Sequence, residues 1–147
     1  MTDTEAIAAT VASVAHFIDA KRWTDLRGLY ASKVRTDYTS LFGGEVQTQG
    51  GDELIGAWKT LLTPIVTQHL LGPVTVRIDG GTHAVAACHV RGYHFAPGTP
   101  GGDEWMVAGH YTFGMTEIGA GWLIEAMTLS VLYQSGNRKL LELKGGK

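Results

Sequence analysis

The chain has 147 residues and a formal net charge of −2, so its charge gives no reason to expect a nucleic-acid partner. Its single cysteine, Cys88, excludes an internal disulfide framework and the zinc patterns that are built on cysteine pairs. No apolar run approaches the roughly 20 residues of a membrane span, and no basic signal-peptide region is present. We therefore expect one cytoplasmic domain over residues 1–147, with a C-terminal tail over residues 134–147.

The first half of the chain predicts three helices and one strand. Ile7, Val11, Val14 and Ile18 recur at helical spacing, which predicts an amphipathic first helix. Pro64 ends the third helix, for which Asp52 is the expected cap. The predicted order is helix 4–19, helix 24–31, strand Val34–Ser40, a glycine-rich loop Leu41–Gly51 and helix Asp52–Leu62.

The second half reads as long antiparallel strands joined by turns. Turn signals stand at Asp79-Gly80-Gly81, in the loop 96–102 and at Gly119-Ala120-Gly121. Long strands joined in this way must twist and curl, which leaves a cavity between sheet and helices. The predicted fold is α+β: a cone-shaped barrel in which a strongly curved, mixed or antiparallel sheet wraps around three N-terminal helices and a central apolar pocket. The predicted strands are Val66–Ile78, His83–Phe95, Glu104–Ile118 and Trp122–Tyr133, followed by a helical turn at Leu140, Leu141 and Leu143.

Two polar residues stand where stability alone would not place them. Asp19 falls in the last turn of the first helix, where the helix dipole disfavours an acid. His69 lies in the apolar run Thr67–Gly72, where it is either a buried core group or part of a reaction site. If the helix end faces the strand across the cone, the carboxylate would orient the imidazole and leave its outer nitrogen free to accept a proton.

The order of elements and several local stretches resemble the nuclear-transport-factor-2-like (SnoaL-like) superfamily over nearly the whole chain. The closer similarity is to its scytalone dehydratase branch, which also includes bile acid 7α-dehydratase and hexachlorocyclohexane dehydrochlorinase. The stretches that carry the resemblance are Asp19-Ala20-Lys21-Arg22-Trp23, Thr36-Asp37-Tyr38-Thr39-Ser40, Thr67-Gln68-His69, Gly92-Tyr93-His94 and Gly121-Trp122.

This resemblance implies a lyase or isomerase that works without a cofactor or metal on a small hydrophobic substrate. Asp19 and His69 match the catalytic pair of that branch, and Tyr38 matches a substrate-orienting tyrosine. The superfamily also implies a homodimer through the outer face of the sheet. The residues expected to contact substrate beside the pair are Trp23, Tyr38, Trp58, His94, Phe113, Met115, Met127, Leu129 and Val131.

The chain departs from the scytalone dehydratase pattern at several positions. Of the residues near the place of the second catalytic histidine, only His94 is a histidine. Ile18 replaces a tyrosine, and Phe113 and Met115 replace polar residues, so the substrate is expected to be larger or less polar.

Other sites of the superfamily fit less well. A ketosteroid isomerase or polyketide cyclase needs an acid on a late strand, for which Glu117 and Glu125 are the candidates. An epoxide hydrolase needs carboxylates around an arginine, and Arg91 lacks them. His83, His89 and His110 do not have the spacing of metal ligands, and Cys88 is expected to be an inert buried thiol.

Two alternative functions therefore remain: an enzyme, and a dimeric protein that binds an apolar ligand without a chemical reaction. The geometry of Asp19 and His69 discriminates them. Side chains within hydrogen-bonding reach beside a closed pocket favour the enzyme, whereas a separation above about 6 Å favours simple binding or a structural role.

Overall fold

The computed structural model describes residues 1–143, so the last four residues of the predicted tail lie outside the described part of the chain. The fold is α+β, as predicted, and it is built on one curved, unclosed sheet. The helices are α1 Asp3–Asp19, α2 Trp23–Arg27, α3 Thr39–Phe42, α4 Gly51–Leu62 and α5 Leu140–Leu143. The strands are β1 Tyr30–Asp37, β2 Gln47–Gly50, β3 Val66–Leu71, β4 Thr75–Asp79, β5 His83–Phe95, β6 Glu104–Ile118 and β7 Gly121–Gly136.

Helix α1 forms as its periodicity predicts. Thr2 caps it through a hydrogen bond that its side chain accepts from the Glu5 amide, and the apolar face is buried. Asp19 is the last helical residue, and the end of α1 packs against β3. The predicted position of Asp19 beside the strand that carries His69 is therefore confirmed.

The second helix is shorter than the predicted 24–31, because Gly28 ends it and the next residues join the sheet. The Leu29 carbonyl accepts a hydrogen bond from the Ile124 amide, and Tyr30 pairs with Ile124 in parallel. Long-range pairing with β7 thus overrides the local helical pattern. Strand β1 accordingly runs over Tyr30–Asp37 and not over the predicted Val34–Ser40.

The predicted loop Leu41–Gly51 contains regular structure. The Asp37 carboxylate accepts hydrogen bonds from the amide and hydroxyl of Thr39, which ends β1 and starts α3. Strand β2 then pairs antiparallel with β1. Helix α4 begins at Gly51 with Gly50 as its cap, and the expected cap, Asp52, instead binds Arg27 at 2.7 Å.

The predicted strand Val66–Ile78 is two strands, β3 and β4. The break falls at Gly72-Pro73, because proline has no amide hydrogen to donate to a strand ladder. Both pieces pair antiparallel with the single long strand β5. The turns at Asp79-Gly80-Gly81 and Gly119-Ala120-Gly121 lie where the sequence predicts them.

The sheet order is β2-β1-β7-β6-β5-β3, with β4 paired to β5 beside β3. All pairs are antiparallel except β1 with β7, and two irregularities between β6 and β7 add curvature. Strands β2 and β3 are thus opposite ends of one curled sheet, and α1 and α4 lie against its concave face. None of the helices in residues 1–143 is both long and apolar enough to cross a membrane.

Candidate active site

Asp19 and His69 form a hydrogen-bonded pair where the end of α1 meets β3. His69 Nδ1 lies 2.8 Å from Asp19 Oδ1, and the His69 main-chain amide donates to Asp19 Oδ2 at 2.8 Å. The Thr67 hydroxyl donates a third hydrogen bond, 2.9 Å long, to Asp19 Oδ1. An acid that is unfavourable at a helix C-terminus is thus held by donors from the facing strand.

These contacts determine the charge of Asp19 and the tautomer of His69. Burial would raise the pKa of the Asp19 carboxyl, but the hydrogen bonds from His69 and Thr67 outweigh it and lower the pKa below the ordinary value of 3.8. The ionised carboxylate accepts the proton of His69 Nδ1, which leaves Nε2 as the free acceptor of the neutral ring. Only 9% of the His69 side chain is exposed, so the pair lies largely away from bulk water.

Two neighbours fix the position of the pair. The Lys21 ammonium, two residues beyond Asp19, donates to the main-chain carbonyls of Leu62 and Ile65 and so ties the start of β3 to the end of α1. Gly92 pairs with His69 across β3 and β5, and the His69 ring lies over the space that a side chain there would fill.

The exposed edge of the His69 ring contributes to the wall of a cavity of about 340 Å³. This volume is at the lower end of the usual range for small-molecule sites. Five aromatic side chains dominate the wall, and aliphatic residues from α4, β5, β6 and β7 fill the space between them. The aromatic residues are Tyr38, Phe42, Trp58, Trp105 and Tyr111.

His94 is the second imidazole of the cavity. Its ring centroid lies 6.0 Å from that of His69 and 4.5 Å from that of Trp105. Its Nδ1 donates to the Trp105 carbonyl at 3.1 Å, which leaves Nε2 as an acceptor. Burial, with a smaller effect of His69, lowers the pKa of His94 to about 4, so His94 is neutral at physiological pH.

Two phenols supply neutral hydrogen-bond donors. Burial raises the pKa of both Tyr38 and Tyr111, so both remain protonated. The Tyr38 hydroxyl lies 3.7 Å from the Met127 sulphur, which is a weak acceptor, and it shares a hydrogen bond with the Tyr111 hydroxyl. A ligand oxygen would be a better acceptor than the sulphur.

The structure brings some of the sequence-predicted site residues together and separates others. Tyr38, Trp58, His94 and Leu129 line the cavity with His69, and Asp19 lies directly behind His69. The remaining five do not line the cavity. Trp23 and Val131 pack against the hydrophobic core, and Phe113, Met115 and Met127 are at most 1% exposed within that core. The outcome for Phe113 and Met115 follows from their position on β6, which is farther along the strand than the cavity.

Sequence reasoning missed several lining residues, among them Tyr111, Trp105, Gln47 and Gln49. Tyr111 and Phe113 are two residues apart on β6, so their side chains point to the same face of the sheet. Strand alternation therefore predicts the face of the sheet, but it does not predict which position along β6 reaches the cavity. Gln47 and Gln49 lie in a glycine-rich stretch that predicts a loop, whereas the structure forms strand β2 there.

The other histidines lie away from this site. His89 and His110 pair on the outer sheet face with ring centroids 4.2 Å apart, and His83 is exposed. Within residues 1–143, no group of three or more His, Cys, Asp or Glu side chains is placed to bind a metal ion. Burial raises the pKa of the Cys88 thiol to about 11, which keeps this thiol unreactive.

Comparison with known proteins places this chain in a family. The family model described as the SnoaL-like domain matches residues 1–128. No curated protein matches the chain. The Kfla4162 protein of Kribbella flavida is 26% identical, with a TM-score of 0.88 over 95% of this chain and 97% of that chain.

Two more distant structures share the fold. A protein provisionally named scytalone dehydratase, from Novosphingobium aromaticivorans, is 15% identical, with a TM-score of 0.75 over 90% of this chain and 86% of that chain. A hexachlorocyclohexane dehydrochlorinase, LinA type 2, is 11% identical, with a TM-score of 0.73 over 90% of this chain and 87% of that chain. At these identities the likeness concerns the fold alone, and the resemblance that the sequence stretches indicate is confirmed by the family model.

Proposed function

Because this chain belongs to the SnoaL-like domain family, we propose that it is a cofactor-independent lyase or isomerase acting on a small hydrophobic substrate. The observation that carries the proposal is the hydrogen-bonded Asp19–His69 pair beside an aromatic cavity. The fold is shared with one protein provisionally named a dehydratase and with another named a dehydrochlorinase.

In the proposed elimination, His69 Nε2 removes a proton from a carbon beside a carbonyl group. The electron pair of that C–H bond forms the new C=C bond while the bond to a β-hydroxyl breaks. The hydroxyl takes a proton from the His69 imidazolium, so water leaves and the neutral imidazole returns. In an isomerisation, the same imidazolium would return its proton to another carbon of the substrate.

The neighbouring groups support this sequence. The Asp19 carboxylate stabilises the imidazolium and fixes the ring orientation. The Tyr38 hydroxyl can donate to the substrate carbonyl, on which negative charge develops as the proton leaves. His94 is neutral, and its ring centroid lies 6.0 Å from that of His69, so its Nε2 can orient the β-hydroxyl before the reaction by accepting a hydrogen bond from it.

The test is an elimination assay on β-hydroxy ketones that carry one aromatic ring, followed by the absorbance of the conjugated product. His69→Ala and Asp19→Asn should lower kcat about 10²- to 10⁴-fold, the usual contribution of general base catalysis. His16→Ala, an exposed histidine on α1, is the matched control and should retain full activity.

A folded His69→Ala variant with full activity would overturn the dyad. Binding without turnover, in the wild-type protein and in every variant, would favour the second candidate, a protein that only binds an apolar ligand. The observation behind that alternative is the wall itself, which is mainly aromatic and aliphatic.

We also propose that the protein is a homodimer through the outer sheet face. Leu70, Leu132 and Tyr133 are about half exposed or more and surround one shallow depression there, beside Arg91. Apolar side chains clustered in this way are typical of an interface. Sedimentation velocity should show a dimer that Leu132→Lys dissociates, whereas a monomeric wild-type protein at assay concentrations would contradict the proposal.

A further inference from the structure

Strand β2, at the edge of the sheet opposite to His69, contributes a polar part of the cavity wall. Strand β2 is at one end of the sheet order and β3, with His69, is at the other. Gln47 and Gln49 of β2 both line the cavity, whereas Thr48 between them does not, as strand alternation requires. The curled sheet therefore places two carboxamides and the reactive imidazole on walls from opposite edges.

Both carboxamides have unused hydrogen-bonding capacity. Within residues 1–143, Gln47 Nε2 donates a single hydrogen bond, which is 3.4 Å long and goes to the Glu45 carbonyl. Gln49 is half-buried, and its side chain makes no hydrogen bond with another side chain or main-chain group within residues 1–143. A wholly apolar ligand packed against these groups would remove water from them without replacing its hydrogen bonds, which is unfavourable.

The charges of the wall exclude one class of ligand. Glu45 is the one carboxylate residue of the wall, and neither lysine nor arginine is found among the lining residues in the described part of the chain. His94 is neutral at physiological pH. A carboxylate or phosphate on the ligand would thus meet a negative charge near β2 and no fixed cation.

We propose that Gln47 and Gln49 form a polar subsite that selects substrates with an uncharged hydrogen-bonding group, such as a hydroxyl, carbonyl or amide, at the end remote from His69. A ring system would occupy the aromatic middle of the cavity between Tyr38, Trp58 and Trp105. That the reacting carbon lies at His69 rests on the proposed function. The effect of the subsite on ligand affinity does not depend on the reaction.

The test compares three probes with the same ring system: naphthalene, β-naphthol and β-naphthoate. Equilibrium dialysis measures their Kd for the wild-type protein, for Gln47→Met/Gln49→Met, and for Thr48→Val, which changes the opposite face of the same strand. We expect wild-type protein to bind β-naphthol about fivefold more tightly than naphthalene, as one net hydrogen bond allows, and β-naphthoate most weakly.

In the double methionine variant, naphthalene should bind at least as tightly as β-naphthol, while Thr48→Val keeps the wild-type order. An unchanged preference for β-naphthol in the double variant would overturn the subsite, and so would tightest binding of β-naphthoate. His69→Ala should keep the wild-type order of probes, so a failure of the proposed elimination would be separate from a failure of the subsite.

Discussion

Gly92 stands directly opposite His69 in the pairing of β3 with β5, and the His69 ring occupies the space of the missing side chain. A Cβ at position 92 would lie 3.3 Å from His69 Cδ2 and 3.4 Å from Nε2, the nitrogen proposed to accept the proton. A side chain at position 92 would therefore crowd the ring. Its position depends on the register of two strands that are distant in sequence.

Gly92→Ala should impair catalysis more than folding. The His69 ring must move by a few tenths of an ångström, and an imidazole displaced from its productive position is expected to lower kcat about tenfold. The elimination assay and thermal unfolding measure the two effects. Gly56→Ala is the control, because nothing lies within 4 Å of a Cβ there, and in a helix it should stabilise by about 0.5–1 kcal/mol. Equal activity of the two variants would show that Gly92 has no role in positioning His69.

The contact between Asp19 and His69 could be predicted from the sequence, because both residues conflict with their local surroundings and match a pair of the family that the sequence resembles. Asp19 opposes a helix dipole and His69 interrupts an apolar run, and the hydrogen bonds of Asp19 with His69 and Thr67 compensate for both. The predicted fold class was also confirmed, since periodicity in α1, α4 and the long strands is strong.

The rest of the site depends on distances along strands, which alternation does not determine. Trp105 and Met106 are neighbours on β6 and are both buried, so hydrophobicity does not distinguish the concave face of that strand from the convex one. Phe113 and Tyr111 share a face, but of the two only Tyr111 lines the cavity, because Phe113 lies farther along β6 than the cavity extends. The polar wall of β2 was hidden by its glycine-rich surroundings, which predict a loop.

Thr67→Val should shift the pH dependence of catalysis without removing activity. The variant removes one hydrogen bond to the Asp19 carboxylate, and that bond lowers the pKa of Asp19. The loss raises the pKa of Asp19, so the part of the activity that depends on the Asp19 carboxylate is lost at a higher pH, and kcat at neutral pH falls a few-fold. Thr67→Ser keeps the hydroxyl and should restore the wild-type profile. An unshifted acid limb in Thr67→Val would mean that Thr67 serves only packing.

His94 makes the folded state less stable as the pH falls through the weakly acidic range. Its pKa is about 4 in the folded protein against 6.5 in the unfolded chain, so only the unfolded chain takes up a proton between these values. The free energy of unfolding is therefore unaffected by this group above pH 6.5. It falls by up to about 3 kcal/mol as the pH is lowered to about 4.

Urea unfolding across this pH window should therefore show a steeper decline for wild-type protein than for His94→Gln, which can still donate to the Trp105 carbonyl. The pKa of Asp19 lies below 3.8, so its contribution to the free energy of unfolding is lost only at lower pH. Asp19 therefore does not affect the comparison of wild-type protein with His94→Gln. Parallel curves for the two proteins would contradict the assignment of the decline to His94.

Lys21 should prove to be a positioning residue for the Asp19–His69 pair. Lys21 has a positive φ of 57°, and no other non-glycine residue in the described part of the chain does. This left-handed conformation is unfavourable by about 1–2 kcal/mol. The two carbonyls that its ammonium binds lie at the end of α4 and immediately before β3, so this strained turn fixes the strand that carries His69.

Lys21→Met should lower the free energy of unfolding by about 1–3 kcal/mol, since two carbonyls lose a charged donor. It should also lower kcat with little change in KM, because the base moves while the aromatic wall remains. Lys59→Met, on the exposed side of α4, is the control and should match wild-type protein in both measurements. If Lys21→Met loses stability but keeps its kcat, Lys21 supports the fold alone, and Thr67 and Gly92 are sufficient to hold the pair.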